Sequence, residues 1–227
     1  MSYQTKIQNK HPLRIAIVGA EEKKWRSEEQ KIRAKNVIKT VLARHAFTET
    51  INELNVADTS MKSDYSTIVL VTGGCPRGGV DKWSIEIAKE LGINTIIYPP
   101  EVYQWHNERC DVCMGNGSVP SEGGTLYPCP SCKGKGYLRG YRERNMLIAE
   151  NCDILYDIEP AKSCKYCGGK GWYIGMYHNR ELFGQRSKEI VLRKICSKCE
   201  GDGAYSSGTW TYKYARKLGK EVHKVVI

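Results

Sequence analysis

Residues 66–92 read STIVLVTGGCPRGGVDKWSIEIAKELG, and this stretch decides the fold class. It begins with an apolar, β-branched run, which predicts a buried strand that ends in paired glycines. Helical periodicity follows from about Val80 to Leu91, and Gly92 then stands where a helix C-cap is expected. A strand that turns through glycines into a helix is the unit from which parallel α/β sheets are built.

The strand pattern recurs on both sides of this stretch, in LRIAIVG (13–19), NTIIYPP (94–100), CDILYDI (152–158) and EVHKVVI (221–227). Helical patterns separate these runs, over about residues 27–46, 142–152 and 209–218. Residues 47–60 are ambiguous and could hold a short extra strand or helix. This alternation predicts an α/β fold: a Rossmann-like parallel sheet with helices on both faces and a ligand site at the carboxyl ends of the strands.

A motif of the form C-x-x-C-x-G-x-G occurs four times in the chain. Two cysteines at this spacing direct both sulfurs to one corner of a tetrahedral metal site, and the glycines let the chain fold back beneath it. The eight candidate ligands, enough for two structural Zn²⁺ ions, are Cys110, Cys113, Cys129, Cys132, Cys164, Cys167, Cys196 and Cys199. Zinc is favoured over iron for structural four-thiolate sites. A disulfide scaffold is the alternative, and the matched glycines argue against it.

The cysteine units lie in two separate segments. Residues 105–137 follow the third strand and residues 161–205 follow the fourth, so both leave the sheet at its carboxyl edge. We interpret them as two zinc-binding inserts that meet above the ligand site. The remaining residues, 12–104, 138–160 and 206–227, form a discontinuous Rossmann-like nucleotide-binding domain. Whether each insert closes its own metal site, or the two inserts share both, stays open at this level.

The overall composition restricts the partners and the compartment. The chain has 227 residues and a formal net charge of +10, with ten cysteines counted as neutral. Each four-thiolate zinc site carries about −2, so two filled sites leave about +6, a mild preference for a phosphate-rich partner. A solvated basic surface explains that charge equally well.

No apolar run approaches the roughly 20 residues of a membrane span, and MSYQTKIQNKHP lacks the apolar core of a signal peptide. We expect no membrane contact and a cytoplasmic location.

Three glycine-containing or arginine-containing turns at the predicted carboxyl edge could hold an anion. Paired glycines before a helix let backbone N–H groups approach a phosphate, and two arginines at a helix start are unfavourable unless an anion lies nearby. Asp81 could cap its helix or accept a hydrogen bond from a ribose hydroxyl. The candidate ligand-binding residues are Gly19, Gly73, Gly74, Arg77, Gly78, Asp81, Arg142, Arg144, Asn145, Ser207, Gly208 and Thr209. A tight turn, a solvated basic helix start and a simple N-cap are the structural alternatives.

The segments RIAIVGA, VTGGCPRGGVDKWSIEIAKELG, RERNMLIAENCDILYDI and SGTWTYKYARKLGKEVHKVV together resemble the SLOG branch of Rossmann-like proteins. The resemblance is greatest to the YspA/YpsA-related members and extends to the DNA-processing protein DprA and the lonely-guy phosphoribohydrolases. It covers roughly half of the chain and implies a nucleotide or a nucleotide-derived ligand. Lonely-guy enzymes carry a catalytic glutamate three residues after their Gly-Thr pair, whereas this chain has Tyr212 at that position. The resemblance to those hydrolases is therefore incomplete.

The cysteine repeats resemble the zinc-binding region of DnaJ-type co-chaperones, in which the first and fourth units share one metal and the second and third share the other. This resemblance implies a nested pairing, which we favour slightly over local pairing within each insert. One site would then use Cys110, Cys113, Cys196 and Cys199, and the other Cys129, Cys132, Cys164 and Cys167.

Three functions are compatible with the sequence. The first is a sensor-type protein that binds a nucleotide-derived small molecule beneath a two-zinc lid, and it could associate as a homo-oligomer. The second is an enzyme that cleaves an N-glycosidic or phosphoribosyl bond. Its candidate bases are the carboxylates near the predicted edge, Asp81, Glu143 and Asp157, and the sequence singles out none of them. The third is a single-stranded nucleic-acid-binding protein, because the second insert interleaves aromatic and basic residues. Those aromatic residues could equally form the insert's own small core. The residues concerned are Lys165, Lys170, Trp172, Tyr173, Tyr177, Arg180, Arg186, Arg193, Lys194 and Tyr205.

Overall fold

The structure is a computed structural model that describes residues 11–53, 65–178 and 189–227. Its strands within these ranges are β1 (Leu13–Gly19), β2 (Ile68–Thr72), β3 (Asn94–Ile97), β4 (Glu108–Arg109), β5 (Ser118–Pro120), β6 (Leu126–Pro128), β7 (Tyr137–Leu138), β8 (Ile154–Glu159), β9 (Trp172–His178), β10 (Glu189–Ile195) and β11 (Glu221–Val226). Its α-helices are α1 (Glu28–Glu53), α2 (Val80–Leu91), α3 (Tyr141–Glu150) and α4 (Ser207–Lys217), and short 3₁₀ turns occupy Glu22–Lys24 and Tyr65–Thr67.

Five strands form one parallel sheet in the order β11–β8–β1–β2–β3. This confirms the Rossmann-like sheet expected from the strand–helix alternation. The chain moves outward from β1 in one direction through β2 and β3, and in the other direction through β8 and β11. The order therefore reverses between β1 and β8, and the crevice at their carboxyl ends is where open α/β sheets bind ligands.

Helices cover both faces of the sheet, because successive side chains of a buried strand point to opposite sides. Ile15 and Ile17 of β1 face α1 and α2, in a core that also contains Ile38 and Trp83. The alternate residues of β1, Ala16 and Val18, face α3 and α4.

Helix ends follow their capping residues. The amide of Gln30 donates to Oγ of Ser27 at 3.2 Å, which places the start of α1 at the predicted residue. Gly92 adopts φ 72° after α2, which confirms the C-cap. Helix α1 runs to Glu53, longer than the predicted range of 27–46, so the first half of the ambiguous segment is helical. Residues 54–60 lie outside the described residues.

Both inserts leave the carboxyl edge of the sheet, the first after β3 and the second after β8. In the first insert β4 pairs with β7 near the sheet and β5 pairs with β6 further out, all antiparallel. In the second insert β9 and β10 form an antiparallel hairpin. The strand pair β4–β7 includes Leu138, one residue beyond the predicted end of the first insert. Within the described ranges, no helix combines the length and apolar character needed to cross a membrane.

Candidate functional site

Each insert gathers its own four cysteines into a buried cluster. The groups are Cys110, Cys113, Cys129 and Cys132 in the first insert, and Cys164, Cys167, Cys196 and Cys199 in the second. Sulfur–sulfur distances between paired units are 3.8 and 3.7 Å in the first cluster and 3.9 and 3.7 Å in the second. Tetrahedral coordination with metal–sulfur bonds of about 2.3 Å requires a sulfur–sulfur spacing of about 3.8 Å. Each cluster could therefore hold one metal ion.

Backbone contacts explain why adjacent units pair. The amide of Cys110 donates to the carbonyl of Gly136, and the amide of Cys129 donates back to Gly117, at 3.0 and 2.8 Å. The amides of Cys164 and Cys196 make the same reciprocal bonds to Gly203 and Gly171. A Cβ on the last glycine of any unit would collide with the backbone of its partner unit, so the close approach requires glycine at these positions.

The nested pairing implied by the DnaJ resemblance is wrong. Each cluster combines the two units of a single insert, and none of the eight ligands is shared between inserts. The physical reason is local: within one insert a hairpin brings consecutive units face to face, and their glycine backbones interlock as described above. A nested arrangement would have to separate each unit from the partner that satisfies its backbone amide.

At the crevice between β1 and β8, a buried ion pair forms one wall. Arg144 of α3 and Asp81 of α2 are almost fully buried, and Nη2 of Arg144 lies 3.2 Å from Oδ2 of Asp81. The same carboxylate accepts from the amide of Cys75, and Arg144 also donates to Asn145. Gly73 lies against the guanidinium group: a Cβ there would come within 2.6 Å of Nε of Arg144. Asp81 thus positions Arg144 and does not face an open ribose site.

Two glycines form the opposite side of the crevice. Gly208 at the start of α4 packs on Gly19 at the end of β1, where a Cβ on Gly208 would lie 2.7 Å from the Gly19 nitrogen. The resulting central pocket is lined by Gly19, Glu21, Asp81, Arg144, Ser207 and Gly208, among others, and its volume is only about 10 Å³. That volume admits about one water molecule.

The other predicted ligand residues are distributed around this pocket. Gly78 lines it, Gly74 lies in the same turn with φ 56°, and Thr209 belongs to the α4 capping box with Ser206. Arg77 is half-exposed and pairs with Glu21 at 3.2 Å. Arg142 points away from the central pocket and lines a separate cavity of about 550 Å³ with His106 and Glu143. The two arginines that open α3 therefore do not act together.

A pair of acids lies beneath the start of α4, and the sequence pointed to only one of them, Asp157. Asp157 and Glu159 lie two residues apart on β8 and are fully buried. Glu159 accepts from Ser206 and Thr209, whereas neither carboxylate oxygen of Asp157 has a hydrogen-bond partner among the described residues. Burial, followed by the charge of Glu159, raises the pKa of Asp157 well above its ordinary value. Burial also raises the pKa of Glu159. Two acids in an otherwise apolar strand are the signal that could have identified Glu159.

A larger aromatic pocket adjoins the central pocket and shares Glu21 and Ser207 with it. Its volume is about 460 Å³. Trp105, at the start of the first insert, meets Trp210 of α4 edge to face, with ring centroids 5.1 Å apart. Tyr166 of the second insert meets Tyr205 in the same way at 5.5 Å. Both inserts therefore contribute to one pocket, as the lid interpretation expects. Its remaining charged residues are Lys23, Lys24 and Lys165.

Sequence reasoning missed most of this aromatic pocket. Trp105, Tyr166, Tyr205 and Trp210 come from distant parts of the chain, and no local motif joins them. Tyr212, which occupies the catalytic glutamate position of the lonely-guy enzymes, packs into the core between α3 and α4 with Arg216 over its ring.

Comparison of the chain with family models, with curated proteins and with solved structures gives no match.

Proposed function

We propose that this protein binds a nucleotide or a nucleotide-derived small molecule at the carboxyl edge of its sheet, and that its inserts hold two structural zinc ions. The observation that carries the proposal is the aromatic pocket. Its volume of about 460 Å³ lies within the range of small-molecule sites, and it adjoins the crevice at the topological switch point. The expected ligand class of the SLOG proteins agrees with this assignment.

The pocket offers separate partners for the two halves of such a ligand. The aromatic rings of Trp210 and Tyr205 give a base an apolar surface on which to stack. Lys23, Lys24 and Lys165 outnumber the one acidic residue of the lining, Glu21, and so favour a phosphate group. Ser207 lies in the first turn of α4, where the helix dipole also favours negative charge.

Zinc is the metal that best fits the two cysteine clusters. Four buried thiolates at tetrahedral spacing leave no position for water or substrate, which is the arrangement of a structural zinc site. The metals in this proposal hold the inserts beside the pocket and take no part in chemistry.

Binding without turnover is favoured over hydrolysis. The two carboxylates that line the central pocket are engaged, Glu21 with Lys23 and Arg77, and Asp81 with Arg144. Asp157 and Glu159 are fully buried behind Gly208. A general base must reach the proton that it removes, and each of these acids is either paired or covered.

Calorimetric titration of the metal-loaded protein with nucleoside monophosphates tests the proposal, with base release followed on the same samples. We expect saturable binding and no turnover. Ser207→Glu should weaken binding by about tenfold or more, because it adds negative charge at the pocket, while a carboxylate in the first helical turn leaves folding intact. Thr125→Glu adds the same charge at the exposed tip of the first insert and should change nothing. Absence of binding, or equal binding by Ser207→Glu, would refute the proposal, and base release would indicate the enzyme.

A further inference from the structure

We propose that one face of the second insert binds single-stranded nucleic acid, and two of its residues, Lys165 and Tyr166, also line the small-molecule pocket. This basic aromatic face consists of Lys165, Tyr166, Lys170, Trp172, Arg193 and Lys198.

Cations and aromatic rings alternate on this face. The Nζ atoms of Lys165 and Lys198 lie 5.9 and 5.3 Å from the ring centre of Tyr166. Lys170 and Arg193 lie 5.7 and 4.5 Å from the ring of Trp172. Tyr166 is 53% exposed, so part of its side chain is accessible to a ligand. Exposed rings stack unpaired bases, and the neighbouring cations neutralise the phosphates of the same strand.

The cations of this face have no acidic partners among the residues that the structure describes. Within the described part of the chain, none of Lys165, Lys170, Arg193 and Lys198 forms a salt bridge. Two acids of this insert pair with the sheet domain instead: Glu200 with Lys213 and Arg216 of α4, and Asp202 with Lys224 of β11 at 2.7 Å. These two carboxylates therefore do not neutralise the cations of the face.

The first insert shows that the metal fold does not require this surface. Its cysteines adopt the same geometry, with sulfur–sulfur distances of 3.8 and 3.7 Å. Yet the residues between its paired cysteines are Asp111 and Val112 in one unit and Pro130 and Ser131 in the other. The equivalent positions of the second insert hold Lys165 and Tyr166, and Ser197 and Lys198. The metal fold therefore does not require basic and aromatic side chains at these positions, which only the second insert carries there.

Single strands fit this face better than duplexes. Duplex binding depends on phosphate contacts and on an element that enters a groove, whereas stacked aromatic rings require bases that are already unpaired. The β9–β10 hairpin extends the face with the exposed side chains of Ile174 and Ile195, which lie on the same side as Trp172. These apolar side chains add contact area for bases.

Fluorescence anisotropy with labelled 20-nucleotide dT and U strands, and with a 20-base-pair duplex, tests this inference on the full chain loaded with metal. We expect both single strands to bind more tightly than the duplex at 50 mM salt. Replacing Lys170, Arg193 and Lys198 together by Gln should weaken binding at least tenfold. It should also reduce the slope of log affinity against log salt by about 2, since each lost phosphate contact contributes about 0.7. The matched variant Lys89→Gln with Lys217→Gln, on exposed positions of α2 and α4, should bind like the parent.

Three further variants test stacking on Tyr166 and the contribution of the pocket to strand binding. Tyr166→Ala should weaken strand binding about tenfold and Tyr166→Phe should restore it. Ser207→Glu should leave strand binding intact even if nucleotide binding is lost. The inference is overturned if the strands fail to bind at 50 mM salt, if the duplex binds equally well, or if the triple variant and the matched variant behave alike. Metal content measured on every variant confirms that the insert is folded.

Discussion

Buried carboxyl groups at the switch point show how single residues set the chemistry of this crevice. Asp157 and Glu159 share one face of β8, and Ser206 and Thr209 at the start of α4 donate hydrogen bonds to Glu159. Two adjacent buried acids cannot both ionise without a large electrostatic cost, so the folded state retains a proton on the pair.

This retained proton predicts an unusual dependence of stability on pH. Folding raises the pKa of Asp157 well above its ordinary value of 3.8. Once the pH exceeds 3.8, the unfolded chain therefore loses this proton while the folded chain keeps it. The free energy of unfolding should therefore fall as the pH rises from that value through the raised pKa. Asp157→Asn removes this titration, so its stability should fall less steeply between pH 5 and pH 7, above the ordinary pKa of 3.8. Urea unfolding of metal-loaded protein at both pH values measures the difference.

The exposed carboxyl of Asp111 provides the control, and Asp111→Asn should follow the parent protein at both pH values. If Asp157→Asn shows the same pH dependence as the parent, the buried pair does not hold the proton.

At the scale of elements, the first insert is held to the sheet by a stem centred on Glu101. Its carboxylate accepts from Lys135 at 2.6 Å and from the backbone and side chain of Arg139 at 2.7 and 3.1 Å. The backbone amides of Glu101 and Val102 both donate to the carbonyl of Arg139. Although partial burial acts in the opposite direction, these hydrogen bonds lower the pKa of Glu101 to about 2.

Glu101→Gln should loosen the first insert without unfolding the sheet. At neutral pH the carboxylate is fully ionised, and its stabilising contribution is lost only as the pH falls from 4.5 toward about 2. The stem is partly exposed to solvent, so we expect a cost of about 1 kcal/mol. Hydrogen exchange should show faster exchange in residues 105–137 and unchanged protection in β1 and β8. Glu90→Gln on the exposed side of α2 is the matched control, and equal exchange in both variants would contradict the role of the stem.

Elements with a local signal could be predicted from the sequence, and contacts between distant elements could not. The strands β1, β2, β3, β8 and β11 follow from apolar runs, and the metal ligands follow from cysteine spacing. The pairing of the cysteine units was predicted wrongly because it depends on glycine carbonyls that meet only in the folded insert. Arg142 and Arg144 carry the same sequence signal. They lie on different sides of α3, so Arg142 is exposed whereas Arg144 is buried.

At the scale of the whole molecule, each four-cysteine cluster belongs to a single insert, and crossed cysteine variants can distinguish this arrangement from the nested one. Cys113→Ser with Cys132→Ser removes two ligands from one cluster, so this variant should retain about one metal per chain. Cys113→Ser with Cys199→Ser damages both clusters and should retain close to none. Nested pairing predicts the reverse for both variants. Metal analysis and native mass spectrometry give the count directly.

The inserts have a consequence for how such a chain could arise. Each one enters and leaves the sheet domain at neighbouring points: Glu101 beside Arg139, and Ser163 beside Tyr205. A segment whose two ends lie side by side can be inserted, deleted or replaced without changing the order of the surrounding strands. The interlocked glycines are the same in both loops, whereas their outer surfaces differ.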